Sequence, residues 1–382
     1  MSPRGSDLPR GELERTARQM NLPGFGLTQQ EALHRAHVLV IGAGGLGCPV
    51  MQALAATGVG RITVLDDDTV DLSNIHRQTL FSAADVGRAK VEVARGRLEG
   101  LQPGITVTAL AERFTAANAL DLLGDVDVLV DGSDTFATKF LAADAAEITG
   151  TPLVWGSVLR YRGDIALWWS GPGAPADGAG MRDLYPAQPA AGSVPDCATA
   201  GVLGVTTSVV GGLMATEVVK HLTGVGESRV GGLRIYDALT GTIRAFAVAR
   251  DPGRAPVTDF GDYGAGACAV PAGGGRGGDG GAAKLLARGL PAIDVREPHE
   301  KMLRDLPRPG VSLPTSVWED RPERATELLA GFGAGSEVLV YCASGARSRR
   351  FVERFAGEAA RRGITLHDLP GGANAHGLDS GQ

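Results

Sequence analysis

Residues 37–58 read HVLVIGAGGLGCPVMQALAATG, and their order decides the fold. His37 to Ile41 is short, apolar and β-branched, as a buried strand is. Four glycines follow closely, Gly42, Gly44, Gly45 and Gly47. The run from Cys48 to Thr57 has helical apolar spacing, with Gly58 placed as a C-cap. A strand that turns through glycines into a helix gathers free N–H groups and the positive end of the helix dipole at one spot. That spot suits a phosphate. The plainer alternative is that the glycines only let helix and strand pack closely.

Outward from this turn the pattern repeats. RITVLDDD (61–68) is a second buried strand ending in acids, and Asp66 there can accept hydrogen bonds from ribose hydroxyls. GITVTALAERF (104–114) and DVDVLVDGSD (125–134) are further strands. TKFLAADAAEITG (138–150) is a helix, and TPLVWGSV (151–158) another strand. Strands alternating with helices imply a Rossmann-like, parallel or mixed α/β sheet. Residues 170–195 form a long loop without periodicity, the kind that serves as a lid or stays disordered. TAGVLGVTTSVVGGLMATEVVKHLTG (199–224) reads as a buried helix or helix pair and suits a subunit interface. GGLRIYDALTGTIRAFAVAR (231–250) reads as a β-hairpin.

The chain has 382 residues, enough for two domains. The first spans 11–250. Residues 251–282 are Gly-rich and read as a flexible linker. Residues 283–382 carry short strands and helices, a small second α/β domain. The net charge of -6 argues against a general nucleic-acid or anionic-membrane surface. The N-terminus lacks an apolar secretory core, and no apolar run spans a bilayer, so a cytoplasmic protein is expected.

Several side chains carry chemistry. DLSNIHRQ (71–78) brings Ser73, Asn74, Ile75, His76, Arg77 and Gln78 just after the second strand, and Lys90 follows. Cations beside a phosphate cradle suit a triphosphate more than a hydride carrier. Asp134 lies at the carboxyl edge of the sheet, where open α/β folds bind ligands, and a carboxylate there suits Mg²⁺. The plainer readings are surface charges for Arg77 and Lys90, and a helix N-cap for Asp134. The four cysteines, Cys48, Cys197, Cys268 and Cys342, form no C-x-x-C pair. Cys197 precedes a helix whose N-terminus would favour its thiolate. Cys48 reads as packing, and Cys268 has no role. Cys342 ends an apolar run and opens CASGARSRR. Its small residues suit a backbone anion nest, which would stabilise a persulfide with help from Arg347. Arg349 and Arg350 read as a solvated helix face.

Residues 15–250 resemble the ThiF/MoeB family, the bacterial relatives of ubiquitin-activating enzymes. The matching pieces are RTARQ, the glycine turn, DDDTVDLSNIHRQ, GRAKVEVA, VDGSDTFATK, CATAGVLGV and IYDALTG. The resemblance implies ATP- and Mg²⁺-dependent adenylation of the C-terminal Gly carboxylate of a small ubiquitin-like sulfur carrier ending in Gly-Gly. It places Gly45, Asp66, the 73–77 segment, Lys90 and Asp134 at ATP, with Asp134 on the metal. It places Arg18 at the phosphates of the partner subunit in a homodimer, and gives Cys197 a covalent role with the carrier. Two departures stand out. Thr135 replaces the family's usual Asn. Both C-x-x-C zinc pairs are missing, from GAGMRDLYPA (178–187) and DPGRAP (251–256), so zinc is not expected and those loops are expected to be mobile.

IDVREPHEK and VLVYCASGARSRRF make 283–382 similar to a rhodanese, a sulfurtransferase module. That resemblance implies a persulfide on Cys342, loaded by a cysteine desulfurase or thiosulfate. Two other functions remain open on the sequence. One is a nicotinamide-dependent oxidoreductase, resting on the glycine turn and Asp66. The other is a non-catalytic module that binds a carrier protein.

Overall fold

The computed structural model describes residues 7–189, 201–263, 279–376 and 378–379. The deciding stretch folds as strand β1 (His37–Ile41), a glycine turn, and helix α3 (Gly47–Thr57) closed by Gly58 in the left-handed region. It follows α1 (Arg10–Met20) and α2 (Leu27–Arg35). Strands β2 (Arg61–Leu65), β3 (Thr106–Leu110), β4 (Val128–Asp131) and β5 (Leu153–Leu159) come next, with α4 (Lys90–Leu101), α5 (Ala119–Leu122) and α6 (Phe136–Thr149) between them. Then come β6 (Arg162–Trp168), α7 (Met181–Leu184), α8 (Gly204–Thr223), β7 (Gly232–Asp237) and β8 (Thr242–Ala247). The sheet order is β3-β2-β1-β4-β5-β6-β7-β8. Pairing is parallel from β3 through β5 and antiparallel from β5 to β8. This is a Rossmann-like mixed sheet.

The unbroken apolar run of β1 is explained by two covered faces. Val38 and Val40 join a core with Val50, Met51 and Leu54 of α3 and Val210, Met214 and Val218 of α8. Leu39 and Ile41 point the other way, into a core with Phe140 and Leu141 of α6. The small-residue segment forms one helix, α8, with Val205 and Val209 left exposed.

The chain divides into two units, Met1–Ala269 and Val270–Gln382. Residues 251–263, read as the start of a flexible linker, are instead fastened to the first unit. Arg254 pairs with Asp183 (Nε–Oδ1 2.8 Å) and Glu147 (Nη1–Oε1 3.0 Å). Tyr263 Oη donates to Asp144 Oδ2 at 2.7 Å, and Arg182 grips the same carboxylate with two bonds. The expectation that the two cysteine-less loops are mobile is therefore corrected. Charged side chains cross-tie them, and Asp144 and Glu147 are buried beneath. Such carboxylates are stable only when paired, which orders the loops.

The second unit contains α9 (Asp279–Ala287), β9 (Ala292–Asp294), α10 (Pro298–Leu303), β10 (Arg304–Asp305), β11 (Val311–Ser312), α11 (Thr315–Asp320) and α12 (Glu323–Ala330). It closes with β12 (Glu337–Tyr341), α13 (Ala346–Arg361), β13 (Thr365–Asp368), α14 (Gly372–His376) and β14 (Leu378–Asp379). Its parallel sheet runs β11-β9-β12-β13, with β10 and β14 as a separate antiparallel ribbon. The IDVRE stretch has a structural cause. Arg296 is buried against Asp294 (Nη2–Oδ2 2.7 Å) and Asp305 (Nη2–Oδ1 2.6 Å), under the ring of Tyr341.

Candidate active site

Steric demand separates the four glycines. A Cβ on Gly47 would lie 1.8 Å from Gly42 O, and Gly42 itself has φ +89°, so both serve the tight turn. Gly44 differs: nothing but Gln78 Nε2, at 4.0 Å, would meet its Cβ. The surface there is open backbone at the start of α3, as a phosphate cradle needs. Gln78 is buried beside it, and its Oε1 has no partner within the protein.

The other predicted residues gather around this turn. Asp66 Oδ2 accepts from Ala43 N at 2.8 Å, and Oδ1 from Asp68 N at 2.9 Å. Burial raises its pKa above 3.8, against the pull of nearby Lys90. Lys90 is no surface charge. It is 4% exposed and reaches Asp68 Oδ2 at 2.9 Å. Arg77 lies against the turn, its Cγ 3.5 Å from where a Gly45 Cβ would sit. Its Nη1 donates to Ser73 O at 3.1 Å and meets His76 Nε2 at 2.9 Å. Burial and the Arg77 charge lower the His76 pKa. Ser73 is held by Asp71, which caps this turn, and Asn74 Nδ2 donates to Ser73 Oγ. Ile75 completes the segment, half-buried.

Asp134 sits exposed just beyond Gly132, whose backbone packs against Gly42 and Gly47. It is not the helix N-cap. Thr135 caps α6, its Oγ1 accepting from Thr138 N at 3.2 Å. Beneath them lies a pair that sequence reasoning missed. Buried Asp131 takes Ser133 N and Oγ on Oδ1 and Lys139 Nζ, at 3.1 Å, on Oδ2. Lys139 also donates to Gly156 O at 2.6 Å. The spacing of Asp131 and Lys139 across a strand end and the next helix was the available signal.

Arg18 is not brought to this site. It is exposed on α1, which bonds to the C-terminal end of α3 through Gln19 and Thr57 O. The eleven residues of α3 set that end about 16 Å from the glycine turn. Cys197 lies outside the described residues, and the described helix after it begins only at Gly204. Cys48 is buried, with its pKa pushed up to about 12 by burial, as packing requires.

In the second unit Cys342 is fully buried at the end of β12. Gly345 N donates to its Sγ at 3.1 Å, and Ser348 Oγ lies 3.6 Å away. The first N–H groups at α14 turn to the loop carbonyls, with Ala373 N on Cys342 O and Asn374 N on Ala343 O. Arg347, expected to help the sulfur, lies close enough for Cys342 to act on its charge, but its hydrogen bonds go elsewhere. Its fork grips Glu300, with Nη1–Oε2 at 2.7 Å, because a buried guanidinium seeks a carboxylate. Arg349 and Arg350 face Asp368 and Glu319.

The first unit's sequence matches the ThiF family model over residues 16–256. The chain belongs to the ThiF family. The probable adenylyltransferase/sulfurtransferase MoeZ of Mycobacterium tuberculosis is 44% identical over 260 residues, 68% of this chain and 66% of that protein. The sulfur carrier protein adenylyltransferase of Thermus thermophilus is 47% identical over 246 residues, 64% of this chain and 90% of that protein. The chain thus spans just under two thirds of MoeZ and most of the Thermus relative. Among solved structures, E. coli MccB aligns with a TM-score of 0.55 at 21% identity, over 65% of this chain and 73% of that one. That likeness extends to the fold. Among the described residues no helix is long and apolar enough to cross a membrane.

Proposed function

We propose that this ThiF-family chain adenylates the C-terminal glycine carboxylate of a small ubiquitin-like sulfur carrier and then passes it sulfur from Cys342. The observation that carries the first step is the open backbone at Gly44, in a turn whose neighbours Ala43 and Gly45 meet Asp66 and Arg77, with buried Lys90 acting on Asp66. The names of MoeZ and the Thermus relative agree with it.

Asp66 would take the ribose hydroxyls, and the glycine turn would take the phosphates. A carrier carboxylate oxygen would attack the α-phosphorus, and the bond to the bridging oxygen would break, releasing pyrophosphate. Arg77 and Lys90 would neutralise the charge that builds on the phosphates. Lys90, buried beside an exposed Asp68, would exchange that carboxylate for a phosphate and so stay paired. Asp134 is the residue that would hold Mg²⁺. One exposed carboxylate suits an ion that takes one or two carboxylates with phosphate oxygens and water. When bound, the ion supplies further neutralisation of the phosphates. Arg18, at the far end of α3, would serve only a partner's site in a homodimer.

In the second step the terminal sulfur of a Cys342 persulfide would attack the acyl carbon and displace AMP. A thiolate, for which Cys197 is the candidate, would then attack Cys342 Sγ, release the carrier thiocarboxylate and leave a disulfide for a thiol reductant. A Gly-rich tether between the two units would raise the effective concentration of one at the other. The direct test is ATP–pyrophosphate exchange with candidate carriers ending in Gly-Gly. Exchange that needs the terminal carboxylate supports the reading. Stoichiometric NAD(H) binding without exchange overturns it.

A further inference from the structure

Three charged side chains interact beside Cys342: Arg347 of its loop, Glu300 of α10 and Glu297, which precedes that helix. Arg347 is the only cation among them, and Glu300 closes on both ends of its fork. Burial opposes the charge on Arg347, and Glu300 restores it, raising its pKa, with smaller contributions from Cys342 and Glu297. The Glu300 carboxyl is in turn held below its usual range by Arg347 and by Glu297 N. Glu297 adds a second carboxylate, bonded to Ser316 N and Oγ at 2.8 Å. Among these three side chains, one cation meets two carboxylates, so the Arg347 charge is fully matched.

We propose that Glu300 is a specificity-determining residue of the Cys342 loop, which by holding Arg347 turns away dianionic sulfur donors such as thiosulfate in favour of persulfides. This rests on the reading of Cys342 as a sulfur acceptor. Loading from thiosulfate forms an S–S bond between Cys342 Sγ and the sulfane sulfur and breaks that sulfur's bond to the sulfonate. Sulfite leaves with the electron pair, so two negative charges enter and two leave. The dianion therefore needs a free cation at the loop throughout. A persulfide reacting as R–S–SH gives up its outer sulfur with a single thiolate leaving, and asks much less of Arg347. The neutralised fork thus penalises the first donor and spares the second.

The full chain is loaded with thiosulfate or with cysteine persulfide. Persulfide on Cys342 is followed by mass spectrometry, with Cys342→Ala as the blank. Glu300→Gln keeps the side-chain shape but frees the Arg347 charge. The rate ratio of thiosulfate to cysteine persulfide is expected to rise about tenfold, the value of one charged hydrogen bond. The double variant Glu300→Gln/Arg347→Ala is expected to lose that gain. Glu358→Gln makes the same charge change at the far end of α13 and is expected to leave the ratio within about twofold, since exposed charges act weakly. A ratio unchanged in Glu300→Gln, with persulfide still forming from both donors, overturns the proposal and leaves the acceptor reading standing. A gain that survives loss of Arg347, or that Glu358→Gln reproduces, also overturns it. No persulfide from either donor in the unaltered chain overturns both.

Discussion

The glycine turn and the Cys342 loop share a design and differ in state. Both join a parallel strand to a helix N-terminus. At the first, Gly44 is bare, Gln78 Oε1 lacks a partner and Asp134 is exposed. At the second, the sulfur already takes Gly345 N, Arg347 already has Glu300, and the sulfur is covered. The first keeps open backbone and an exposed carboxylate, with a buried acceptor left unpaired beneath. The second has met its own demands, and any reaction there would first have to exchange internal partners for external ones. The difference teaches that a nest of N–H groups is not by itself an open site. What fills it at rest decides how it is used.

The most severe break of this comparison is Cys342→Ala. Thiocarboxylate formation on the carrier, read by mass spectrometry, is expected to vanish while ATP–pyrophosphate exchange continues. Loss of both would mean that the two loops do not act separately. Next come Asp134→Ala and Lys90→Ala, each expected to slow exchange by about 10²–10³-fold, as for removal of one electrostatic contact to a reacting group. An exchange rate within threefold of the parent would return Lys90 to a purely structural role.

The floor of the open site sharpens the contrast. Lys139→Met leaves Asp131 buried without its cation and is expected to cost about 3–5 kcal/mol in denaturant unfolding. Arg254→Ala strips Asp183 and Glu147 of a shared partner and is expected to cost about 1–3 kcal/mol, read in the same way. If those loops were free, the loss would be negligible. The smallest effect is a pH dependence. Asp66 has its pKa raised above 3.8, so the folded state keeps that proton to a higher pH than the unfolded chain does. Its contribution to stability is fully present below 3.8 and is lost as pH rises through the folded value. Nucleotide binding runs the other way, because ribose hydroxyls need the carboxylate as acceptor. Calorimetry is expected to show ATP affinity falling as pH drops toward that raised value, and Asp66→Asn is expected to flatten the curve.

The fold was legible because β1 and the glycine turn obey local rules. Period-two packing on two faces and the steric need at Gly42 and Gly47 depend on near neighbours in sequence. Asp66, Arg77 and Lys90 were legible for a related reason, since strand ends fix where their segments return. What sequence could not supply was pairing across distance. Arg254 meets Glu147, and Arg347 meets Glu300, over long stretches of chain with no local signature. The missing cysteine pairs were read as leaving two loops mobile, yet guanidinium–carboxylate pairs hold those loops. Thr135 rather than Asp134 caps α6 for a smaller reason: either side chain can cap a helix, and backbone geometry selects one.

That tie determines where the chain can be cut. Ending the protein at Arg250, after β8, would look natural from its strand plan, yet it would remove Arg254 and Tyr263 together. Glu147 and Asp183 would lose their cation, and Asp144 its phenol. A shortened first unit must therefore run through Tyr263, and a protease that nicks between 250 and 263 would weaken the sheet's far face without touching a strand.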